Sequence, residues 1–389
     1  MLYVLQTLPG QHIEVVERIE RLRDRLRFLL QGQPRRWTGL LRRSTFALAI
    51  QGSNSIEGYH VTVDDAVAAV EGEEPLDERT EAWKAVTGYR NAMSYVLQLA
   101  DDRYFQHNEG TLRGLHYMMI GYDLAKHPGR WRPGSIYVRR EEDGAIVYEG
   151  PSAELVPQLM KELVTSLNAE SVLPVMVRAA LAHLNLVMIH PFSDGNGRMA
   201  RALQSFVLAR EGILDPTFSS IEEYLGRNTQ TYYDVLAQVG QGAWHPENDP
   251  LPFVTFCLTA HYRQAETLLR RSEEIDRLWA LLEQEIERKG LPERSIMALS
   301  DAAFGYRVRN ATYRTAAEIS DPLASRDLRA LVDAGLLVPH GERRGRHYVA
   351  GEWLLQARAA TRAKKVTTDP FTDEVVEVLP EDRQGRLGI

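Results

Sequence analysis

The sequence predicts a mainly α protein: a helical core carrying one β-hairpin, followed by a C-terminal winged helix-turn-helix module. Three observations carry this. Apolar residues recur at helical spacing through most of the chain. The period changes to strand-like alternation between Arg130 and Gly150. Beyond residue 295, short helical segments give way to two alternating stretches around a glycine-bounded turn.

In chain order, Gln11 to Gln31 forms a charged amphipathic helix with Ile13, Val16, Ile19, Leu22, Leu26 and Leu29 on one stripe. Leu40 to Gln51 forms another, ending near Gly52, and helical patterns resume at Val63 to Glu71, Glu81 to Leu99 and Glu109 to Met119. Ser135 to Arg139 and Ala145 to Glu149 alternate around Glu142-Asp143-Gly144, a hairpin turn signal. Helices return at Ala153 to Leu167, at the apolar Pro174 to Ile189, at Arg198 to Arg210, at Ile221 to Val239 and at Phe253 to Lys289. Within 295–350, Tyr313 to Ser320 is a short helix, Asp321-Pro322 turns, and Ser325 caps a second helix ending at Ala334 with Gly335 as C-cap. Leu336 to Val338 and His347 to Ala350 are wing strands, and the polar stretch Lys364 to Ile389 is expected to fray or lie loosely on the surface. The expected organisation is a helical N-terminal region (1–95), a core (96–245), connecting helices (246–290), the winged-helix domain (291–352) and a tail (353–389).

A chain of 389 residues is too long for one compact core, and 44% hydrophobic with 25% charged residues is the balance of a water-soluble globular protein. No apolar run reaches membrane-spanning length, and the first residues lack the basic and apolar regions of a secretory signal. Cys257 is the single cysteine, so an intrachain disulfide is excluded and a reducing, cytoplasmic setting is expected. A net charge of −7 argues against indiscriminate binding to nucleic acid or anionic membranes.

The most informative stretch is His190-Pro191-Phe192-Ser193-Asp194-Gly195-Asn196-Gly197-Arg198-Met199-Ala200-Arg201, at a helix-loop-helix junction. The loop brings Gly195, Asn196 and Gly197 to a helix N-terminus, where unpaired N–H groups and the positive dipole end suit an anion. Arg198 and Arg201, three apart, share a face and can grip further phosphate oxygens. Asp194 is placed to hold a divalent ion between phosphates. His190 is the nearby group able to take a proton near neutral pH. These residue types in this pattern point to phosphoryl or nucleotidyl chemistry.

This run resembles the Fic-domain motif, His-Pro-Phe-x-Asp-Gly-Asn-Gly-Arg-x-x-Arg, at every defined position. The resemblance implies a helical Fic core that moves AMP from ATP to a Ser, Thr or Tyr hydroxyl of a target protein, and of itself, with release of pyrophosphate. It further implies Asp194 as the Mg²⁺ ligand, His190 as the base, and Gly195, Asn196, Gly197, Arg198 and Arg201 as the phosphate site. The hairpin, Gly134 to Tyr148, would be the family's flap, with Ser135, Ile136, Tyr137 and Val138 holding the target segment by strand addition. Asn228, Tyr232 and Tyr233 more loosely resemble the segment that contacts adenine and ribose.

Ser53-Asn54-Ser55-Ile56-Glu57-Gly58 resembles the family's inhibitory motif, Ser/Thr-x-x-x-Glu-Gly/Asn. There the glutamate reaches the second motif arginine, so Ser53, Glu57 and Gly58 are expected to form an inhibitory helix with Glu57 on Arg201, as in the N-terminally self-inhibited class. A carboxylate in that place competes with the γ-phosphate of ATP. From Arg307 to Arg346 there are eight arginines against five acids, a modest basic footprint compatible with DNA contact, protein docking or homodimer formation. Two other functions share these residues: a winged-helix transcription regulator whose core senses nucleotide, and an enzyme that removes AMP from modified proteins.

Overall fold

The computed structural model describes every residue except 32–36, 76–79, 141–142, 211, 213–215, 343–344, 364 and 380–389. The turn residue Glu142 and the wing-tip residues Arg343 and Arg344 therefore lie outside the described residues. The described chain is dominated by helices, with three separate two-stranded antiparallel hairpins. No described helix is long and apolar enough to cross a membrane.

The N-terminal helices are α1 (Gly10–Gln31), α2 (Thr38–Ser55), α3 (Val63–Glu71), α4 (Glu81–Ala100) and α5 (Glu109–Ile120). Three of them start where a short polar side chain caps a free N–H: Thr62 accepts from Asp65, Thr80 from Trp83 and Asn108 from Thr111. The hairpin of β1 (Tyr137–Arg139) and β2 (Ile146–Glu149) comes next, with Tyr137 opposite Glu149 and a bulge after Val138. Then follow α6 (Val156–Asn168), α7 (Val175–Ile189), α8 (Asn196–Arg210), α9 (Glu222–Arg227), α10 (Thr229–Gly240) and the long α11 (Leu251–Lys289). The largest helix–helix contact is between α7 and α8, whose buried faces form the middle of the main core.

Beyond α11 lie α12 (Ile296–Ala303), α13 (Asn310–Ala316), α14 (Asp321–Asp333), β3 (Leu337–His340), β4 (His347–Ala350) and α15 (Glu352–Thr361). Val308 bridges to Tyr348, adding a third extended segment beside the β3–β4 hairpin. These elements share a second core with α2, α3 and the C-terminal half of α11. The long helix α11 thus contributes to both cores.

Four sequence expectations are corrected. α2 continues past Gly52 to Ser55. Ile221 to Val239 is two helices, broken at Asn228, whose φ and ψ of −126° and 39° are not helical. Asp321-Pro322 does not turn but opens α14, because proline's fixed φ and missing N–H suit a first helical turn. The tail does not fray over its first half. β5 (Lys365–Thr368) and β6 (Val375–Leu379) pair, and Arg18 of α1 donates to Pro370 O at 2.9 Å and to Asp373 at 2.6 Å. Phe371 adds a ring contact with His12 at 4.9 Å. That anchorage sits on α1, 352 residues away in sequence, which local polarity could not reveal.

Candidate active site

α7 ends at His190, which takes a left-handed backbone (φ 51°, ψ 57°) while its N–H bonds back to Leu186 O. A non-glycine residue in this region stores strain of about 1–3 kcal/mol and persists only where the surroundings fix it. Here Pro191 forbids further helix, and Arg132 donates from Nε to His190 O at 2.8 Å. The Nδ1–H of the ring donates to Val187 O at 3.0 Å, so Nε2 is the free, basic nitrogen. Burial lowers the imidazole's affinity for a proton, opposed by Val187 O and by the charge of Glu57. The ring is therefore neutral to lower pH than a free histidine.

The loop after it is locked from within. Phe192 is fully buried, stacked on His116 with ring centroids 3.6 Å apart. Asn196 closes the loop, accepting from Phe192 N and donating to Phe192 O, both at 2.9 Å. Its side chain is thus structural, and only its backbone is open to an anion. Gly195 adopts φ 75°, which a side chain would resist, and its N–H reaches Asp194 Oδ1 at 2.7 Å. α8 then begins at Asn196, leaving the N–H groups of its first turn without helical partners.

Arg198 and Arg201 are almost fully buried in the first turns of α8. All three nitrogens of Arg198 have no hydrogen-bond partner. Its guanidinium lies 5.0 Å from the Tyr59 ring centroid and 3.9 Å from Asp194. A sealed cation with three idle nitrogens is costly unless an anion completes it. Arg201 is engaged instead: Nε donates to Ser53 Oγ and Nη2 to Ser53 O, both at 2.8 Å, and Nη2 meets Glu57 Oε1 at 2.7 Å. Burial opposes its charge, but Glu57 and the surrounding hydroxyls hold it more firmly protonated than free arginine. Glu57 follows α2 in a turn closed by Gly58 at φ 79°. Its carboxylate crosses directly over Gly197, where a Cβ would fall closer than 3.0 Å to Oε1.

α2 can deliver Ser53 and Glu57 because it crosses α9 backbone to backbone. A Cβ at Gly52 would stand 2.5 Å from Glu222 O, and one at Gly226 would stand 2.6 Å from Gly52 Cα. Read from sequence, Gly52 was a helix end; in the fold it is a contact surface.

Three supporting residues escape sequence reasoning. Lys126, from a short 3₁₀ turn at Leu124–Lys126, meets Asp194 Oδ2 at 3.0 Å and Tyr59 Oη at 3.1 Å. Burial would raise the Asp194 pKa, but Lys126, Arg198 and the Gly195 N–H hold it below the ordinary aspartate range. His116 Nδ1 accepts from Gly129 N at 2.8 Å, so its Nε2–H donates to Asp194 O at 2.9 Å. Burial drops its pKa to about 4. Arg132 ties the motif loop to the hairpin base through Gly134 O at 2.6 Å and Pro151 O.

The hairpin places Ser135 and Tyr137 exposed and Ile136 and Val138 half-buried. Its root abuts the histidine: a Cβ at Gly150 would lie 3.7 Å from His190 Cβ. Among the described residues, β1 pairs only with β2, so its outer edge is free of backbone partners. Of the tyrosine pair, Tyr232 is corrected. It is 1% exposed and its hydroxyl is bonded to His183 Nε2 at 2.9 Å, so its ring has no face to offer a base. Tyr233 is exposed, and its hydroxyl donates to Ile56 O at 3.0 Å, beside the turn that carries Glu57. Asn228 bonds Tyr224 O at the α9–α10 break.

A helical pair is thus joined by this loop, with a hairpin at its edge. Residues 106–208 match the Fic/DOC family. The chain is 27% identical over 212 residues to protein adenylyltransferase fic-1 of Caenorhabditis elegans, covering 53% of this chain and 40% of that protein. It is 28% identical over 250 residues to protein adenylyltransferase Fic of Aedes aegypti, covering 63% and 45%. The chain thus spans less than half the length of these relatives. Among solved structures, a Fic family protein from Desulfovibrio desulfuricans G20 shares the fold with a TM-score of 0.58 at 21% identity, over 90% of this chain and 98% of that one. A Fic domain-containing signaling protein from Bacteroides thetaiotaomicron VPI-5482 aligns with a TM-score of 0.52 at 23% identity, over 68% and 97%.

Proposed function

We propose that this chain transfers AMP from ATP to a hydroxyl of a protein, itself included, and is held back by its own Glu57. One observation supports the reading above others: two buried arginines face the same α8 N-terminus, Arg198 with idle nitrogens and Arg201 held by a carboxylate at 2.7 Å. The triphosphate would lie against the first turn of α8, with Arg198 facing the pyrophosphate portion and Arg201 the γ-phosphate. His190 Nε2 takes the proton from the acceptor hydroxyl, whose oxygen attacks the α-phosphorus. The α–β phosphoanhydride bond breaks and pyrophosphate leaves. The free β1 edge would align the acceptor segment by main-chain hydrogen bonds.

A divalent ion fits this donor set. Asp194 already holds a cation, Lys126, on Oδ2, and one carboxylate plus phosphate oxygens is an ordinary Mg²⁺ environment. Bound there, the ion would neutralise charge on the phosphates. Hydrolytic removal of AMP is a second reading, favoured by the position of Glu57 over Gly197, where a carboxylate could align water. The C-terminal unit, read as a winged helix, suits docking better than DNA reading. Arg307 pairs with Asp64 at 3.3 Å and Arg309 with Glu73 at 3.5 Å, which removes two charges from the basic footprint.

The test is intact-mass spectrometry of the Glu57→Gly protein with ATP and Mg²⁺. A gain of one adenylyl group per chain is expected. An unmodified chain, with no label passed from α-³²P-ATP to any added protein, would reject AMP transfer.

A further inference from the structure

Glu57 engages only the second of the two motif arginines. Arg198 is fully buried, and its Nε, Nη1 and Nη2 are sealed from solvent although none has a hydrogen-bond partner. That is a costly state for a cation, and no anion can reach those nitrogens until a group lying over them moves. The Tyr59 ring lies over this guanidinium, with 5.0 Å between Arg198 Cζ and the ring centroid. Its π face attracts the cation but offers it no hydrogen-bond acceptor of the usual kind. Tyr122 also borders Arg198, but it follows α5 and packs on the main core. Tyr59 is half-buried and stands between exposed Gly58 and His60, at the surface, where a turn has room to lift.

The turn that carries Glu57 also carries Tyr59. The N–H groups of Glu57 and Tyr59 both donate to Asn54 O at 3.0 Å, and Gly58 N–H donates to Ser55 O at 3.1 Å. The φ of 79° at Gly58 closes the turn in the manner of a helix C-cap. Two residues apart on this turn, Glu57 meets Arg201 at 2.7 Å and Tyr59 lies over Arg198. The Tyr59 hydroxyl accepts from Lys126 Nζ at 3.1 Å and donates to Glu81 Oε1 at 3.4 Å. Lys126 is itself on Asp194 at 3.0 Å, so the tyrosine is held at its far end as well as at its backbone.

We propose that Tyr59 is a cover over Arg198 that the β-phosphate of a nucleotide must displace, separate in action from Glu57, which opposes only a γ-phosphate. This rests on the reading that phosphates settle against the first turn of α8. ADP separates the two residues, because it carries the β-phosphate and lacks the γ-phosphate. Dissociation constants for ADP and for α,β-methylene-ATP, whose α–β link cannot be broken by AMP transfer, are measured by calorimetry on the full chain at saturating Mg²⁺. Tyr59→Ala should bind ADP severalfold more tightly than the parent chain, the scale of one cation–π contact that no longer has to be displaced. Tyr59→Phe keeps the ring and loses only the hydroxyl, so its ADP affinity should stay near the parental value. Glu57→Gly should tighten the ATP analogue and leave ADP unchanged. Equal ADP affinity in Tyr59→Ala and the parent would overturn the cover alone. Weaker ADP binding in Tyr59→Ala would make the ring a support for Arg198, and an equal gain in Tyr59→Phe would shift the effect to the Lys126 tether; either overturns it. ADP that binds none of these proteins would remove the phosphate site itself, and the cover with it.

Discussion

Replacing Glu57 by glycine separates the proposed inhibition from architecture, because the Glu57–Arg201 pair would serve both. Arg201 would lose its 2.7 Å contact with the carboxylate but keep two 2.8 Å bonds to Ser53. Breaking a fully buried ion pair costs about 3–5 kcal/mol. The Glu57 side chain is 22% exposed and two acceptors remain, so about 1–2 kcal/mol is the expected loss. For a chain of this size that lowers Tm by roughly 1–3 °C. ATP should restore it, since its γ-phosphate supplies the missing acceptor, and the ATP-induced rise in Tm should be larger in the variant than in the parent chain. Label transfer should increase about 100-fold, the gain expected when a misplacement near 1 Å is relieved. Thermal shift with and without ATP and Mg²⁺, combined with time courses of label incorporation, reads all three. Equal ATP stabilisation in both proteins, with equal rates, would refute the competition between carboxylate and phosphate.

Other outcomes follow from the same geometry. His190→Ala should abolish transfer while leaving the ATP thermal shift nearly intact, and retained transfer would remove His190 as the base. With its proton affinity lowered by burial, the acid limb of the rate profile should lie below the 6.5 of free imidazole, and a limb above that value would contradict burial of the ring in its neutral form. Lys126→Met should lower the Mg²⁺ concentration needed for half-maximal ATP stabilisation severalfold, as the 3.0 Å competitor for Asp194 is gone; an increased requirement would make Lys126 a helper instead. His116 has a folded pKa of about 4 against 6.5 unfolded, so the unfolded chain binds the extra proton and stability falls as pH drops from 6.5 toward 4, by about 3 kcal/mol from this residue. A His116→Phe chain should lose that part of the slope in urea melts at stepped pH. An unchanged slope would show that the ring is not buried in the neutral form.

What was legible in sequence followed from how densely the signal is packed along the chain. The loop from His190 to Arg201 carries base, acid, glycines and arginines within twelve positions, so its chemistry could be read without contacts. Lys126, His116 and Arg132 reach the same loop from 58 to 78 residues away, each as a lone polar residue with no pattern around it. Only their packing gives them roles. Tyr232 was recoverable in principle: with Val235 and Val239 it completes a buried stripe at helical spacing, which leaves Tyr233 facing out. The anchored hairpin of the tail rests on contacts to α1, at the other end of the chain, and nothing local encodes them.

The turn that carries Glu57 is positioned by the helix before it, α2. At its start, α2 presents Arg43 to Glu71 of α3 at 2.5 Å and to Asp301 of α12. At its end it presses Gly52 against α9 and presents Ser53 to Arg201. One helix of 18 residues therefore joins the C-terminal unit to Arg201 of α8. Whatever loosens α12 from Arg43 removes a buried acid from one end of a lever whose other end fixes Glu57. Asp301→Asn keeps the shape and deletes the charge, so Arg43 retains Glu71 and the fold survives. If the lever transmits, the chain should gain self-modification partway toward the Glu57→Gly level. Should the rate stay at the parental value while Tm falls, the C-terminal unit stabilises α2 without governing the inhibitor.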